Sequence, residues 1–250
     1  MRSDLQDSYI KVKEFLDAGR KVLFTGTACQ ISGLKKYLGK QNDNLILCDI
    51  LCHANPSPKV FELYIKNLEK IKNQKVKYVW FRSKENGWKN QTPIIEYEDG
   101  EKVEEKSYYI AFVNEIIDRP SCNSCQFASK RRVSDFTIGD FWGIEKVFPD
   151  IETTEGVSLL NVNSEKGFEI FEEVKDKMNY KEVDYDLACS FNHYHNVNVH
   201  SKRDKFFKGI SDGSINENNI IDYMKKYTKK PLYRKILGKV KRIIKKIVKR

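Results

Sequence analysis

Between residues 8 and 71 the chain alternates amphipathic stretches with short, unbroken apolar runs. This alternation restricts the fold more than any other feature. Residues 8–18 place Tyr9, Val12, Phe15 and Leu16 on one helical face and stop at Gly19. Residues 22–25 (VLFT) and 44–51 (NLILCDIL) are short continuous apolar runs, the mark of strands buried on both faces. Between them Ile31, Leu34, Tyr37 and Leu38 recur at helical spacing on a buried side, and Gly39 closes the turn. Ser57-Pro58 supplies an N-cap and a first-turn proline for a helix over 59–71, with Val60, Leu63, Tyr64 and Leu68 inward. Helix, strand, helix, strand, helix predicts a parallel α/β core. Ligand sites in such a core gather where strands end and helices begin.

The rest of the chain reads as an elaboration. Residues 76–82 form a strand, and 93–98 and 102–107 flank Asp99-Gly100 as a β-hairpin. A helix over 109–117, strands over 135–138 and 157–162, and helices over 166–178, 203–209 and 217–227 follow. The expected fold class is α/β: a mixed, largely parallel sheet core flanked by helices, with a β-hairpin insertion and a basic helical C-terminal tail. We expect one domain over 1–215 and the tail over 216–250.

The formal charge of +10 sits in that tail. Residues 225–250 hold 13 of the 45 Lys and Arg and no acid, so the body carries 32 bases against all 35 acids, a net of −3. The body therefore gives no electrostatic argument for nucleic acid, and none is expected as a partner. The first residues, MRSDLQDSY, do not read as a signal peptide, and no run is long and apolar enough to cross a bilayer. Six irregularly spaced cysteines in a chain of 250 residues do not read as a secreted disulfide framework, and a cytoplasmic location is expected.

Cys122 and Cys125 form a C-x-x-C pair in 119–143, RPSCNSCQFASKRRVSDFTIGDFWG. A metal site is the functional reading; a redox pair or two buried thiols are the bland ones. Arg119-Pro120-Ser121 predicts a constrained loop, unlike the helix start of a thioredoxin-type motif. One metal centre needs about four ligands. Cys29 and Cys52 fit best, because each follows a predicted buried strand and adjacent parallel strands end close together. Cys48, inside a strand, and Cys189 read as core thiols. His53 reads as a hydrogen-bonded loop residue or a cofactor contact, and His193, His195 and His200 as solvated loop residues.

Gly26-Thr27-Ala28-Cys29-Gln30 turns from strand to helix and offers N–H groups to a phosphate or to cluster sulfurs, although it matches no Walker or dinucleotide motif. Gly139 to Gly143 either lays Phe141 or Trp142 on a flat ring, with Asp140 bonding to it, or is a tight turn with two core aromatics. Lys130, Arg131 and Arg132 either balance an anion or form a solvated run. In the tail, Ile236, Leu237, Val240, Ile243, Ile244 and Ile247 make an apolar stripe among basic residues. It suits an anionic membrane face, here the inner surface, or a partner protein.

TGTACQISGLKKYL (25–38), DILCHANPSPKVFELYI (49–65), RPSCNSCQFASKRRVSDFTIGDFWGI (119–144) and GVSLLNVNSEKG (156–167) together resemble the C-terminal domain of the coenzyme F-420 hydrogenase/dehydrogenase beta subunit family, over about residues 8–210. The resemblance implies an iron–sulfur flavoprotein that passes electrons between a 4Fe-4S cluster, FAD and a hydride-accepting substrate. It implies Cys29, Cys52, Cys122 and Cys125 as cluster ligands. It marks Gly26, Thr27, Gln30 and the turn of Gly139, Asp140, Phe141 and Trp142 as flavin or substrate surroundings, and we expect His53 and Arg131 as further cofactor contacts. Implied partners are an electron-donor protein or ferredoxin-like domain, and a polysaccharide pyruvyl transferase or other glycan-synthesis proteins. Ala28 stands where the family usually has proline, and Ala54 where it usually has glycine. Relatives usually carry a segment ahead of the first helix, and whether the flavin pocket needs residues from it is open at this point. The alternative is a non-catalytic zinc-binding accessory protein of a polysaccharide-biosynthesis complex, since four thiolates also suit tetrahedral zinc.

Overall fold

The computed structural model describes residues 4–229 except Asn86, Gln91 and His193. In chain order the elements are α1 (Ser8–Asp17), β1 (Val22–Thr27), α2 (Ala28–Leu38), β2 (Leu45–Ile50), α3 (Pro58–Lys72), β3 (Val76–Ser83), β4 (Thr92–Tyr97) and β5 (Lys102–Glu104). There follow α4 (Ser107–Val113), α5 (Pro120–Asn123), β6 (Phe136–Asp140), α6 (Ile144–Val147), β7 (Ser158–Val162), α7 (Glu165–Val174), α8 (Tyr185–Ser190), α9 (Arg203–Ser211) and α10 (Ile220–Thr228). The fold is mixed α/β, with a four-stranded, mostly parallel sheet and a separate three-stranded sheet that contains the hairpin.

These elements divide into two interleaved units. The first takes residues 1–56, 83–91 and 118–198; the second takes 57–82, 92–117 and 199–250. In the first, the strand order is β1-β2-β6-β7, with β1, β2 and β6 parallel and β7 antiparallel to β6. One face of β1 and β2 is sealed by α1 and α2. Val12, Leu16, Ile31 and Leu34 pack there on Phe24, Leu45 and Leu47. Ile31 and Leu34 are fully buried, each worth about 1.5–3 kcal/mol relative to exposure. Phe15 and Tyr37, expected on the inward faces, are exposed instead, because each short helix buries a single stripe. The Arg20 guanidinium covers the Phe15 ring at 4.3 Å.

The start of β6 is tied down by Asp135. One carboxylate oxygen accepts from the Leu47 N–H at 2.8 Å and the other from the Ser164 hydroxyl at 2.7 Å. A second cluster of this unit gathers Trp88, Phe141, Ile144, Leu159, Ala188, Cys189 and Tyr194. Gly143 turns the chain there at φ +80°, and a Cβ on it would lie 2.8 Å from the Phe191 ring. Gly143→Ala should therefore lose about 1–3 kcal/mol of unfolding free energy in urea titration. An unchanged midpoint would show that this turn is not constrained.

The second unit holds the sheet β3-β4-β5 and the helices α3, α4, α9 and α10. Its core includes Val60, Leu63, Tyr64, Leu68, Ile95, Phe206, Ile220 and Met224. The helix α3 has the expected inward residues and buries them in this core. The helix expected over 109–117 begins earlier and ends at Val113; Glu115, at φ 62°, breaks it, and Ile116 and Ile117 bury themselves beyond the break. The helix α10 packs in this core although it begins inside the stretch read as tail. The basic stripe over 232–250 and His193 lie outside the described residues. Among the described residues no helix is long and apolar enough to cross a membrane.

Candidate metal centre

The parallel pairing of β1 and β2 sets Thr27 beside Ile50, the last residue of each strand. Cys29 and Cys52 each lie two residues further on. Cys29 lies within the strand-to-helix turn expected over 26–30. It is the second residue of α2, whose start is fixed by a reciprocal cap. The Thr27 N–H donates to Gln30 Oε1 at 2.9 Å, and the Thr27 hydroxyl donates to the same oxygen at 3.1 Å. That hydroxyl also lies 3.1 Å from Cys29 Sγ. Gly26 precedes this cap at the end of β1.

After β2 the chain runs antiparallel to the segment that enters the C-x-x-C. Pro56 pairs with Asp118, and the Arg119 N–H donates to the Asn55 carbonyl at 3.0 Å. Arg119 stays extended, at φ −69° and ψ 144°, and Pro120 opens α5, a single turn that carries Cys122. The segment expected as a constrained loop is thus a one-turn helix, because an extended residue before proline presets its first turn. This places Cys122 against the residues after Cys52, and the Asn55 N–H donates to Cys122 Sγ at 3.4 Å. Cys125 begins the following turn, closed by the Ala128 N–H on its carbonyl at 3.2 Å.

The four thiols share one electrostatic neighbourhood. Crowding pushes the Cys52 thiol up to about 12, and the charges of Cys122, Cys29, Cys125 and Asp118 act in the same direction. Part of Cys52 still reaches solvent, so it is the packing around it, more than complete enclosure, that disfavours the thiolate. Burial also raises Cys122, against the opposing Asn55 N–H. A bound cation would offset the burial that disfavours the Cys52 and Cys122 thiolates. Among the described residues no three Cys, His, Asp or Glu side chains close on a point that one metal ion would fill. Asn55 Oδ1 and Asn123 Nδ2 are buried without hydrogen-bond partners, the condition of groups that a ligand would satisfy. Neither asparagine nor Asp118 stood out in the sequence, because their place depends on the pairing of 55–56 with 118–119.

The remaining candidates are placed differently. Cys48 and Cys189 are buried core thiols, as read. His53 is half-buried in the loop after Cys52. Gly139 lies where a Cβ would meet Leu51 at 2.9 Å, so glycine permits this close approach beside the Cys52 loop. Asp140 Oδ1 accepts from Trp88 Nε1 at 3.1 Å, and Trp142 stacks on Trp88 with ring centroids 4.9 Å apart and planes 11° from parallel. Phe141 is buried in the same cluster. Arg131 is exposed, whereas the Arg132 side chain is 3% exposed and pairs with the fully buried Asp49. Two concavities lie away from the thiols. One, of about 530 Å³, is lined by Asn163, Ser164, Glu165, Phe168 and their neighbours; the other, of about 260 Å³, is apolar and lies between the sheet and Phe171.

Residues 19–187 match the family model for the C terminus of the coenzyme F420 hydrogenase/dehydrogenase beta subunit. That span contains all four thiols. No curated protein matches the chain.

Proposed function

The chain belongs to the C-terminal family of coenzyme F420 hydrogenase/dehydrogenase beta subunits, and from that membership we propose that it is an oxidoreductase domain whose Cys29, Cys52, Cys122 and Cys125 hold a 4Fe-4S cluster. Its electrons would pass to FAD and a hydride-accepting substrate, and an electron-donor protein would supply them. What supports this reading is that Cys29 and Cys52 follow the paired ends of β1 and β2, and that the Asn55 N–H holds Cys122 against the loop after Cys52. Cys29, Cys52, Cys122 and Cys125 would hold a cluster more readily than a single zinc ion, because a cluster would not require all four sulfurs to close on one point.

A cluster bound there would supply one-electron transfer. The chain's own part is to hold and tune it. The Asn55 N–H donates to Cys122 Sγ, and the Thr27 hydroxyl, 3.1 Å from Cys29 Sγ, would donate to a Cys29 thiolate only by giving up its bond to Gln30 Oε1. Such donors stabilise the more negative, reduced state and raise its potential. Arg132 contributes less positive charge to the site than its sequence position suggests, because Asp49 neutralises it. The flavin is not assigned to the Gly139–Trp142 turn. Phe141 is enclosed there, Trp88 covers one face of Trp142, and the Trp88 indole occupies Asp140 Oδ1.

Protein purified without oxygen should be brown, bleach with dithionite and contain about four iron and four sulfide per chain. Colourless protein with stoichiometric zinc would overturn the reading. Yellow flavin released by heat tests the second cofactor separately.

A further inference from the structure

We propose that Arg132 is the positioning residue of the thiol site: its guanidinium fixes the segment that carries Cys122 and Cys125 to the strand that delivers Cys52. The inference rests on the reading of these thiols as one ligand set, although the contacts that support it do not depend on which metal is bound.

The segment from 119 to 131 carries little regular structure, and outside the thiol turns Lys130 is held on α8 by Asp186 and by the Tyr185 hydroxyl, which donates to its carbonyl at 2.9 Å. Its regular structure is the single turn of α5, and its backbone bonds near the thiols are the short closures from Cys122 to Arg119 and from Ala128 to Cys125. At its leading end the Arg119 N–H is anchored on Asn55. At its trailing end Arg132 turns inward. Its Nη1 donates to the carbonyls of Phe127 at 2.9 Å and Ser129 at 3.4 Å, which close the loop after Cys125. Its Nη2 donates to Asp49 Oδ1, and its Nε to Asp49 Oδ2 at 3.3 Å and to the Thr137 hydroxyl at 3.2 Å. Asp49 is held in turn by the Ser134 hydroxyl at 2.6 Å. Asp49 lies in β2, three residues before Cys52, and Thr137 is its partner in β6.

One planar side chain thus joins the thiol loop to two adjacent strands just below the point where they deliver Cys52. Arginine suits this task because its five N–H groups point in fixed directions. A lysine would keep the charge opposite Asp49, but a single ammonium cannot span both the carboxylate and the two loop carbonyls.

The test is Arg132→Lys in the full chain, stripped of metal and reduced. Maleimide labelling of each cysteine is followed by mass spectrometry. We expect Cys122 and Cys125 to label about tenfold faster than in the wild type, while Cys48 and Cys189 stay protected and Cys29 is unchanged. Unchanged rates at Cys122 and Cys125 would overturn the proposal. So would Cys48 and Cys189 reacting in step with them, because Arg132 would then support the whole fold and not the pair. Iron content of the wild type is measured in parallel. Wild type without iron defeats the cluster reading and leaves the labelling result to decide the role of Arg132.

Discussion

Asp49→Ala is expected to lower the unfolding free energy by about 3–5 kcal/mol, the usual loss when one partner of a buried ion pair is removed. The size follows from where the pair sits. The Asp49 side chain is 0% exposed and that of Arg132 is 3% exposed. Without the carboxylate the guanidinium keeps its carbonyl contacts but has no counter-charge, and the Ser134 hydroxyl loses one of its two acceptors, keeping the Phe136 carbonyl at 2.8 Å. Desolvating an uncompensated charge outweighs any gain from the smaller side chain. Asp49→Asn should lose less, because an amide oxygen still accepts from Arg132. Replacing both residues by leucine should recover only part of the loss, since no buried charge remains but the Phe127 and Ser129 carbonyls lose their donor. Urea unfolding of the three variants checks the order. A loss of under about 1 kcal/mol in Asp49→Ala would mean that water reaches the pair.

This pair also marks the limit of what the sequence disclosed. Asp49 and Arg132 are 83 residues apart. Lys130-Arg131-Arg132 reads as one basic run, yet its third member turns under the loop while the first two stay outside. Charge alone does not separate the three; the position of Phe127 and Ser129 over the sheet does. The strands and most helices were legible, because apolar runs and helical spacing are local signals. The buried state of Cys48 and Cys189 was legible for the same reason. The allegiance of α3 was not. Its amphipathic face states that it must be buried, and the α/β alternation suggested the sheet, but Tyr64 and Leu68 match the core around Ile95 and Met224 instead.

The thiol site divides along the same line. Cys29 and Cys52 could be placed at neighbouring strand ends from periodicity alone. Their approach to Cys122 needs the antiparallel run of Asn55-Pro56 against Asp118-Arg119, which has no repeating pattern to announce it. The aromatic turn shows the opposite case. Phe141 and Trp142 were conspicuous in the sequence, and both readings of them were open. Phe141 is buried in the cluster that contains Trp88, and Trp142 stacks on the Trp88 ring.

The second large effect is expected at Cys52. Cys52→Ala should reduce iron in anaerobically reconstituted protein at least about tenfold, whereas Cys48→Ala and Cys189→Ala should keep it. The contrast depends on place and not on the number of thiols removed. Cys52 follows β2 beside the start of the helix that carries Cys29, and Cys122 accepts from the Asn55 N–H three residues further on. Cys48 is four residues away in the same strand but is buried beside Thr25 and Phe136, its neighbours in the sheet register. Losing Cys48 leaves a small cavity in the sheet, for a cost of about 1 kcal/mol, and every ligand in place. Losing Cys52 removes little buried apolar surface, so the metal-free variant should unfold within about 0.5 kcal/mol of wild type. Iron retained in full by Cys52→Ala, or lost equally by Cys48→Ala, would remove Cys52 from the ligand set. The meeting of the four thiols would then be a feature of packing alone.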